Sequence, residues 1–328
     1  MTDQHKYILG IDISKKHFDA ALLLPNEKRK NKKFINDQSG FVQLSKWLEK
    51  NNVGELHACL EATNIYGHAL AEHLFDEGFS VSIVNPARIK GFAQSELLRT
   101  KTDKQDASLI ARFCQAMKPS LWTPEPKNVR ELKALVRRLD AMIEMKQQEV
   151  NRLDVAEAIV REDIEGHIEL LTANITKLQD TIQKHIDDDP DLRSKKELLL
   201  SIPGIGEKTV GVLLSYFATI ENFGSAKQLA CFCGVTPKVS QSGTSVNRYG
   251  RMSKVGPGNL RKALFFPAMV ALRYNPPMML LKERLTAAGK PKMLIIGAAM
   301  RKLVHIIYGV LTSKAAFDPN ILPKRLVV

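Results

Sequence analysis

From about Asn128 to Ile186 apolar side chains recur every three or four residues: Leu132, Leu135, Val136, Leu139 and Met142, then Ile168, Leu171, Ile175, Leu178 and Ile182. Glu, Lys, Gln and Asp fill the positions between them, which is the pattern of one apolar stripe along an α-helix. A single rod would leave that stripe in water. The segment therefore predicts two long helices folded back on each other, or paired with another subunit, as an antiparallel coiled-coil arm over residues 126–190. The acid-proline run Asp187-Asp188-Asp189-Pro190 supplies its stop.

The arm divides the chain into two parts with different patterns. Before it, short apolar runs alternate with amphipathic ones: strands at Tyr7–Asp12, His17–Leu24 and Lys33–Asn36, a helix at Gly40–Lys50, a strand at Leu56–Ala62, a helix at Tyr66–Asp76, and a strand at Phe79–Val84 stopped by Asn85-Pro86. Strand, helix, strand predicts crossover units of an α/β domain over residues 1–125. Its end is the Pro-punctuated stretch Trp122-Thr123-Pro124-Glu125-Pro126, which continues neither element type. After the arm, residues 191–328 read as a mainly α domain. It opens with apolar helices on either side of Pro203-Gly204-Ile205-Gly206, a helix-hairpin-helix signature.

Charge is segregated along the chain. Residues 237–328 carry a net +14 of the total +13, and residues 1–236 sum to −1. A C-terminal third so basic, interleaved with Gly, Ser and Asn, is suited to neutralising the phosphates of a nucleic acid. Gly204 and Gly206, whose backbone N–H groups suit a phosphate, and the cations Lys208, Arg248, Arg251, Lys254, Arg261 and Lys262 are the candidate contacts.

Four acids stand at element ends. Asp12 and Glu61 close predicted strands, the place where ligands collect in an open α/β sheet. Asp103 and Asp106 open a helical run, three residues apart and so on one side of it. Helix capping accounts for one of that pair by itself, but not for both together with two strand-end acids. Converging carboxylates repel unless cations neutralise them, and hard oxygen donors select Mg²⁺ or Mn²⁺. Two such ions would serve phosphoryl transfer at a phosphodiester.

The segment from Lys238 to Lys254 packs hydroxyls, glycines and cations into what reads as a loop. Ser242, before Gly243, is a candidate nucleophile with Arg248, Arg251 and Lys254 to hold the phosphate. Ser240, Thr244, Ser245 and Ser253 compete with it on composition, and no neighbouring histidine supplies a base.

Several classes are disfavoured. Cys59, Cys114, Cys231 and Cys233 form neither a disulfide framework nor a paired zinc motif, and Cys231 and Cys233 read as small buried residues. No leader-like or membrane-length apolar run is apparent, so the chain is expected to be soluble and cytoplasmic, with no membrane partner. Sugar kinases share the strand-Asp-hairpin opening but need a phosphate-binding glycine loop, which residues 1–120 do not show.

These motifs occur in a familiar order: Gly10-Ile11-Asp12, Glu61-Ala62-Thr63, Lys101-Thr102-Asp103-Lys104-Gln105-Asp106-Ala107, Ile202-Pro203-Gly204-Ile205-Gly206, then Ser242-Gly243-Thr244-Ser245-Val246 and Arg251-Met252-Ser253-Lys254. Over nearly its whole length the chain closely resembles the DEDD transposases of the IS110 family of bacterial insertion sequences. The resemblance implies an RNase H-like, Holliday-junction-resolvase-type N-terminal domain in which Asp12, Glu61, Asp103 and Asp106 bind the metal pair. It further implies that Ser242 joins covalently to DNA and that a noncoding bridge RNA pairs with donor and target DNA; strand exchange by that route needs several subunits, so a homo-oligomer, dimer or tetramer, is expected. A junction nuclease using water, and a noncatalytic nucleic-acid-binding protein, are the competing expectations.

Overall fold

The computed structural model describes residues 7–26, 28–62, 66–96, 103–242 and 246–320; at 103, 104, 239–242 and 246–250 only the backbone is described. Two compact units are present, Met1–Pro124 and Glu125–Val328.

The first unit is a mixed five-stranded sheet with helices on both faces. In chain order its elements are β1 (Tyr7–Ile13), β2 (His17–Leu23), β3 (Arg29–Ile35), α1 (Gln38–Lys50), β4 (Leu56–Glu61), α2 (His68–Asp76), β5 (Ser80–Val84), α3 (Pro86–Ser95) and α4 (Asp103–Met117). The spatial order is β3-β2-β1-β4-β5; β1, β2 and β3 form an antiparallel meander, and β4 and β5 run parallel to β1. β1 is apolar almost throughout because both its faces are covered. Leu9, Ile11 and Ile13 face α1 and α2 in one core, whereas Ile8 belongs to a second core with Ile89, Ile110, Ala111 and Phe113 of α3 and α4.

Local chemistry sets the element ends. Asp37 accepts a hydrogen bond from the Gly40 N–H at 2.9 Å and starts α1, which buries Phe41, Leu44 and Leu48 at helical spacing. The segment after α4 is tied to the outer strand: Trp122 N–H donates to the Val81 carbonyl at 2.6 Å and Ser82 Oγ to the Ser120 carbonyl at 2.8 Å. That covers the β5 edge, while among the described residues of this unit no strand pairs with the outer side of β3.

The second unit holds α5 (Lys127–Leu153), α6 (Ala158–Asp188), α7 (Pro190–Leu200), α8 (Glu207–Phe217), α9 (Ala226–Phe232), a ribbon of β6 (Pro237–Ser242) and β7 (Val246–Met252), and α10 (Gly258–Tyr274), α11 (Pro276–Ala287) and α12 (Lys292–Ser313). α5 and α6 are the antiparallel arm, α5 alone being about 40 Å long at 1.5 Å per residue. The arm's root is part of the core: Val129, Leu132, Val136, Ile182 and Ile186 pack with the helices that follow. Its tip is exposed, Val155 at 86% and Ile159 at 92%. α12 is long and apolar enough to cross a membrane, yet Ile295, Ala299, Leu303, Val304 and Ile307 are buried in the unit's own core.

Several elements differ from expectation. β3 begins at Arg29 rather than Lys33, because pairing with β2 carries a lysine-rich stretch that has no apolar alternation of its own. Asn85-Pro86, expected only to stop a strand, also starts α3: Asn85 caps it through the Ala87 N–H, and Pro86 occupies the first turn. Likewise Pro190 begins α7, with Asp189 as its cap. The segment around Ser242 is not a loop but a two-stranded ribbon, since backbone pairing can hold polar residues in strands without a buried face. Cys231 is exposed; only Cys233 of that pair is buried, and burial pushes its thiol up to about 12.

Candidate active site

Strand register brings two of the four acids together. β1 and β4 pair in parallel with Ile11 opposite Leu60, so Asp12 and Glu61, one residue further on, stand level at the C-terminal ends of adjacent strands. Alternation along each strand gives their face. Ile8 and Cys59 lie in the α4-side core, and residues an even number away share that side, so Asp12 and Glu61 both face the layer that holds α4.

Gly10 sets how close α4 comes. A Cβ at Gly10 would lie 2.2 Å from the Ala107 carbonyl oxygen and 2.3 Å from the Ala111 nitrogen. The helix thus rests directly on β1 at the one residue without a side chain. Asp106 immediately precedes Ala107 and continues the sheet-facing row of Ile110 and Phe113, whereas Asp103 is the first residue of α4, with its side chain outside the described set. Asp12, Glu61 and Asp106 are each partly exposed. The level register and the seat of α4 therefore place all three at one end of one sheet face.

Among the described residues no three His, Cys, Asp or Glu side chains are gathered closely enough to hold a metal ion. The donor set is nevertheless of the right chemistry for a hard divalent cation, being carboxylate oxygens only.

A fifth acid was missed from the sequence. Asp19 stands directly across the β1–β2 pair from Asp12, shares its face, and is 8% exposed. The Lys33 ammonium lies 3.5 Å from its Oδ2. The signal available was the alternation of β2, where Asp19 and Ala21 fall on the side opposite Phe18 and Ala20.

The second unit carries the remaining candidates. Ser242 is the last residue of β6, opposite Val246; Ser240 pairs with Arg248 and Lys238 with Arg251 across a register shift. The side chains of Ser242 and Arg248, and Thr244 altogether, lie outside the described residues. Arg251 and Lys254 are exposed, Lys254 in the left-handed region with φ 56°. Lys208 of α8 and Lys262 of α10 line one cavity of about 240 Å³ with Asp140, Glu144 and Asn259. There burial raises the Asp140 carboxyl against the opposing pull of the Asn259 hydrogen bond.

Two candidates have structural duties. Arg261 Nη1 donates to the Gly256 carbonyl at 2.8 Å and reaches those of Pro257 and Cys233 at 3.3 and 3.5 Å, tying the segment after β7 to the end of α9. Gly204 has φ 111°, and a Cβ there would lie 2.7 Å from the Pro267 carbonyl oxygen of α10. Internal packing alone requires that glycine. Gly206, by contrast, is exposed at the start of α8 and has open space around its Cα.

Comparison with known proteins covers both units. Residues 9–156 match the family model of IS110-type DEDD transposases, and residues 196–283 match the model described as Transposase IS116/IS110/IS902 family. The pilin gene-inverting proteins of Moraxella lacunata and Moraxella bovis are each 37% identical over 320 residues, covering 96% of this chain and 99% of theirs. The transposase for insertion sequence element IS1328 of Yersinia enterocolitica is 23% identical over 298 residues, 81% of this chain and 84% of its own.

Proposed function

Because the chain belongs to the IS110 family of DNA transposases and recombinases, we propose that it excises and inserts, or inverts, a DNA segment through a covalent serine–DNA intermediate. The observation that carries this reading is the level placement of Asp12 and Glu61 on the face against which α4 brings Asp106. The five-stranded sheet, a meander continued by two parallel strands, supports an RNase H-like assignment of the first unit. The Pro203–Gly206 turn between α7 and α8 supports a helix-hairpin-helix in the second.

In this mechanism Ser242 Oγ attacks the scissile phosphorus, its proton leaves to solvent, and the bond to the departing deoxyribose oxygen breaks as that oxygen takes up a proton. The resulting phosphoserine ester keeps the phosphodiester's energy, so an incoming hydroxyl restores a DNA strand without ATP. Arg248, Arg251 and Lys254, on or next to the ribbon, hold the non-bridging oxygens. Asp12, Glu61, Asp103 and Asp106 would hold two divalent ions, Mg²⁺ or Mn²⁺, which when bound would supply Lewis-acid stabilisation of charge on the phosphate.

The acids and the serine belong to different units, and we place them from different subunits in a dimer or tetramer, so that a lone chain does not cut. A bridge RNA transcribed from the element supplies the pairing that selects donor and target, and the enzyme acts at the nucleoid in the cytoplasm.

The test incubates purified protein, Mg²⁺, donor and target plasmids, and RNA transcribed from the element's noncoding flank. The wild type should give a protein–DNA adduct stable to denaturant; Asp12→Asn and Ser242→Ala should not. Cleavage by Ser242→Ala at the wild-type rate means that water is the nucleophile and overturns the covalent step. Full recombination by Asp12→Asn removes the acids from the chemistry. Mixing Asp106→Asn with Ser242→Ala subunits should restore part of the activity if the site is shared.

A further inference from the structure

The near-neutral sum of the N-terminal part conceals a local segregation of charge. Residues 14–36 hold seven Lys and Arg against two acids, and the structure places six of the seven on the β1–β2 hairpin and on β3, the outermost strand among the described residues of this sheet. Six of the seven β3 residues are exposed.

The two faces of β3 use their cations differently. On the α1 side Lys30 donates to Asn51 Oδ1, and Lys32 lies 5.0 Å from the centroid of the Phe34 ring. On the other side Lys33 follows a register from itself to Asp19 to Asp12, which puts it on the face of the candidate acids. Asp19, largely buried, anchors its ammonium while half of the lysine side chain stays in solvent.

The hairpin Ser14-Lys15-Lys16-His17 closes the same end of the sheet. It is pinned by the Ser14 N–H to the His17 carbonyl at 2.8 Å, the Asn36 N–H to the Lys16 carbonyl at 2.8 Å, and Asn36 Nδ2 to the Ser14 carbonyl at 3.0 Å. Lys15 and Lys16 are exposed on it, three and four residues beyond Asp12. A fixed turn presenting two cations, with a third held by a buried acid, loses little conformational freedom on meeting an anion.

We propose that Lys15, Lys16 and Lys33 form a phosphate-binding rim on the first unit that grips the DNA backbone beside the Asp12–Glu61 end of the sheet. The choice of DNA as ligand rests on the recombinase reading above; the rim itself rests on the hairpin and the Asp19–Lys33 pair. Because the contacts are ionic and made to backbone oxygens, they position a strand without reading its sequence. Cations on an open edge strand also discourage edge-to-edge aggregation. The two roles differ in which lysines matter: aggregation control counts Lys30 and Lys32 equally, whereas the rim counts only those on the acid side.

Full-length protein titrated into a fluorescein-labelled 30-base-pair DNA duplex over a series of salt concentrations separates them. Each lost phosphate contact should reduce the slope of log K against log salt by about 1. The triple variant Lys15→Gln, Lys16→Gln, Lys33→Gln should therefore lose about 2 to 3 in slope, and Lys30→Gln, Lys32→Gln should keep the wild-type slope. An unchanged slope in the triple variant, or an equal loss in the Lys30, Lys32 pair, overturns the rim. So does a loss seen with an RNA duplex and not with DNA, or light-scattering aggregation with the slope intact. Asp19→Asn, which frees Lys33 without removing a cation, should weaken binding less than Lys33→Gln; a larger loss would overturn Lys33 as the contact. The titration is run without Mg²⁺ and reads binding alone, so a failure of the catalytic reading, seen in the adduct assay above, leaves the result for the rim standing.

Discussion

Gly10→Ala is the sharpest perturbation of the candidate site, because it adds one methyl group where α4 rests on β1. The added Cβ would lie 2.2 Å from the Ala107 oxygen, 2.3 Å from the Ala111 nitrogen and 2.8 Å from the Ala111 Cα, against an ordinary contact distance of 3.4 Å or more. All three are backbone atoms, so no side-chain rotation relieves the clash, and α4 must lift by about 1 Å. Overpacking of this kind costs about 1–3 kcal/mol, which in a unit of this size is a fall in melting temperature of roughly 4–15 °C. The same displacement moves Asp106 away from Asp12 and Glu61, and an error of about 1 Å in placing reacting groups costs about 100-fold in rate. Thermal unfolding and adduct formation under saturating DNA read the two effects separately. Gly54→Ala, with nothing within 4 Å of its Cβ, is the control and should alter neither. Wild-type cleavage by Gly10→Ala at an unchanged melting temperature would refute the seat of α4 on Gly10 and its coupling to the acids.

Other outcomes follow from the second unit. Arg261→Ala, which loses bonds from a charged group to backbone carbonyls, should cost about 1.5–3 kcal/mol of stability by denaturant titration, whereas exposed Lys254→Gln should stay within about 0.5 kcal/mol. Asp189→Ala removes an acceptor for the Leu192 N–H and the Asn128 amide at 2.9 and 2.7 Å and should cost about 1 kcal/mol. The hydrogen bond from Lys196 holds the Asp187 carboxyl below its ordinary 3.8. Its folded-state value is thus the depressed one, and its contribution is complete above about pH 4 and lost as the pH falls through the folded value. Asp187→Asn should accordingly give a shallower loss of stability than the wild type between about pH 5 and 2, and an identical acid limb would count against the ion pair.

The sequence by itself determined which segments form elements and which chemistry their ends carry. The three-and-four spacing of the arm, the apolar run ending in Asp12, and the acids opening α4 are local patterns, and each follows from the residues concerned. Tertiary structure decided what local pattern cannot express. That Asp12 is level with Glu61 depends on the register between strands more than forty residues apart, and the approach of α4 depends on Gly10, whose need is visible only when Ala107 and Ala111 lie against it. Asp19 was overlooked because one acid in an otherwise apolar strand becomes informative only beside its cross-strand partners, Asp12 and Lys33. The ribbon bearing Ser242 reads as a loop for a related reason: its strands are held by backbone pairing, which polar side chains neither favour nor forbid. Arg261 shows the converse, a cation that composition assigns to phosphate and folding engages with its own backbone carbonyls.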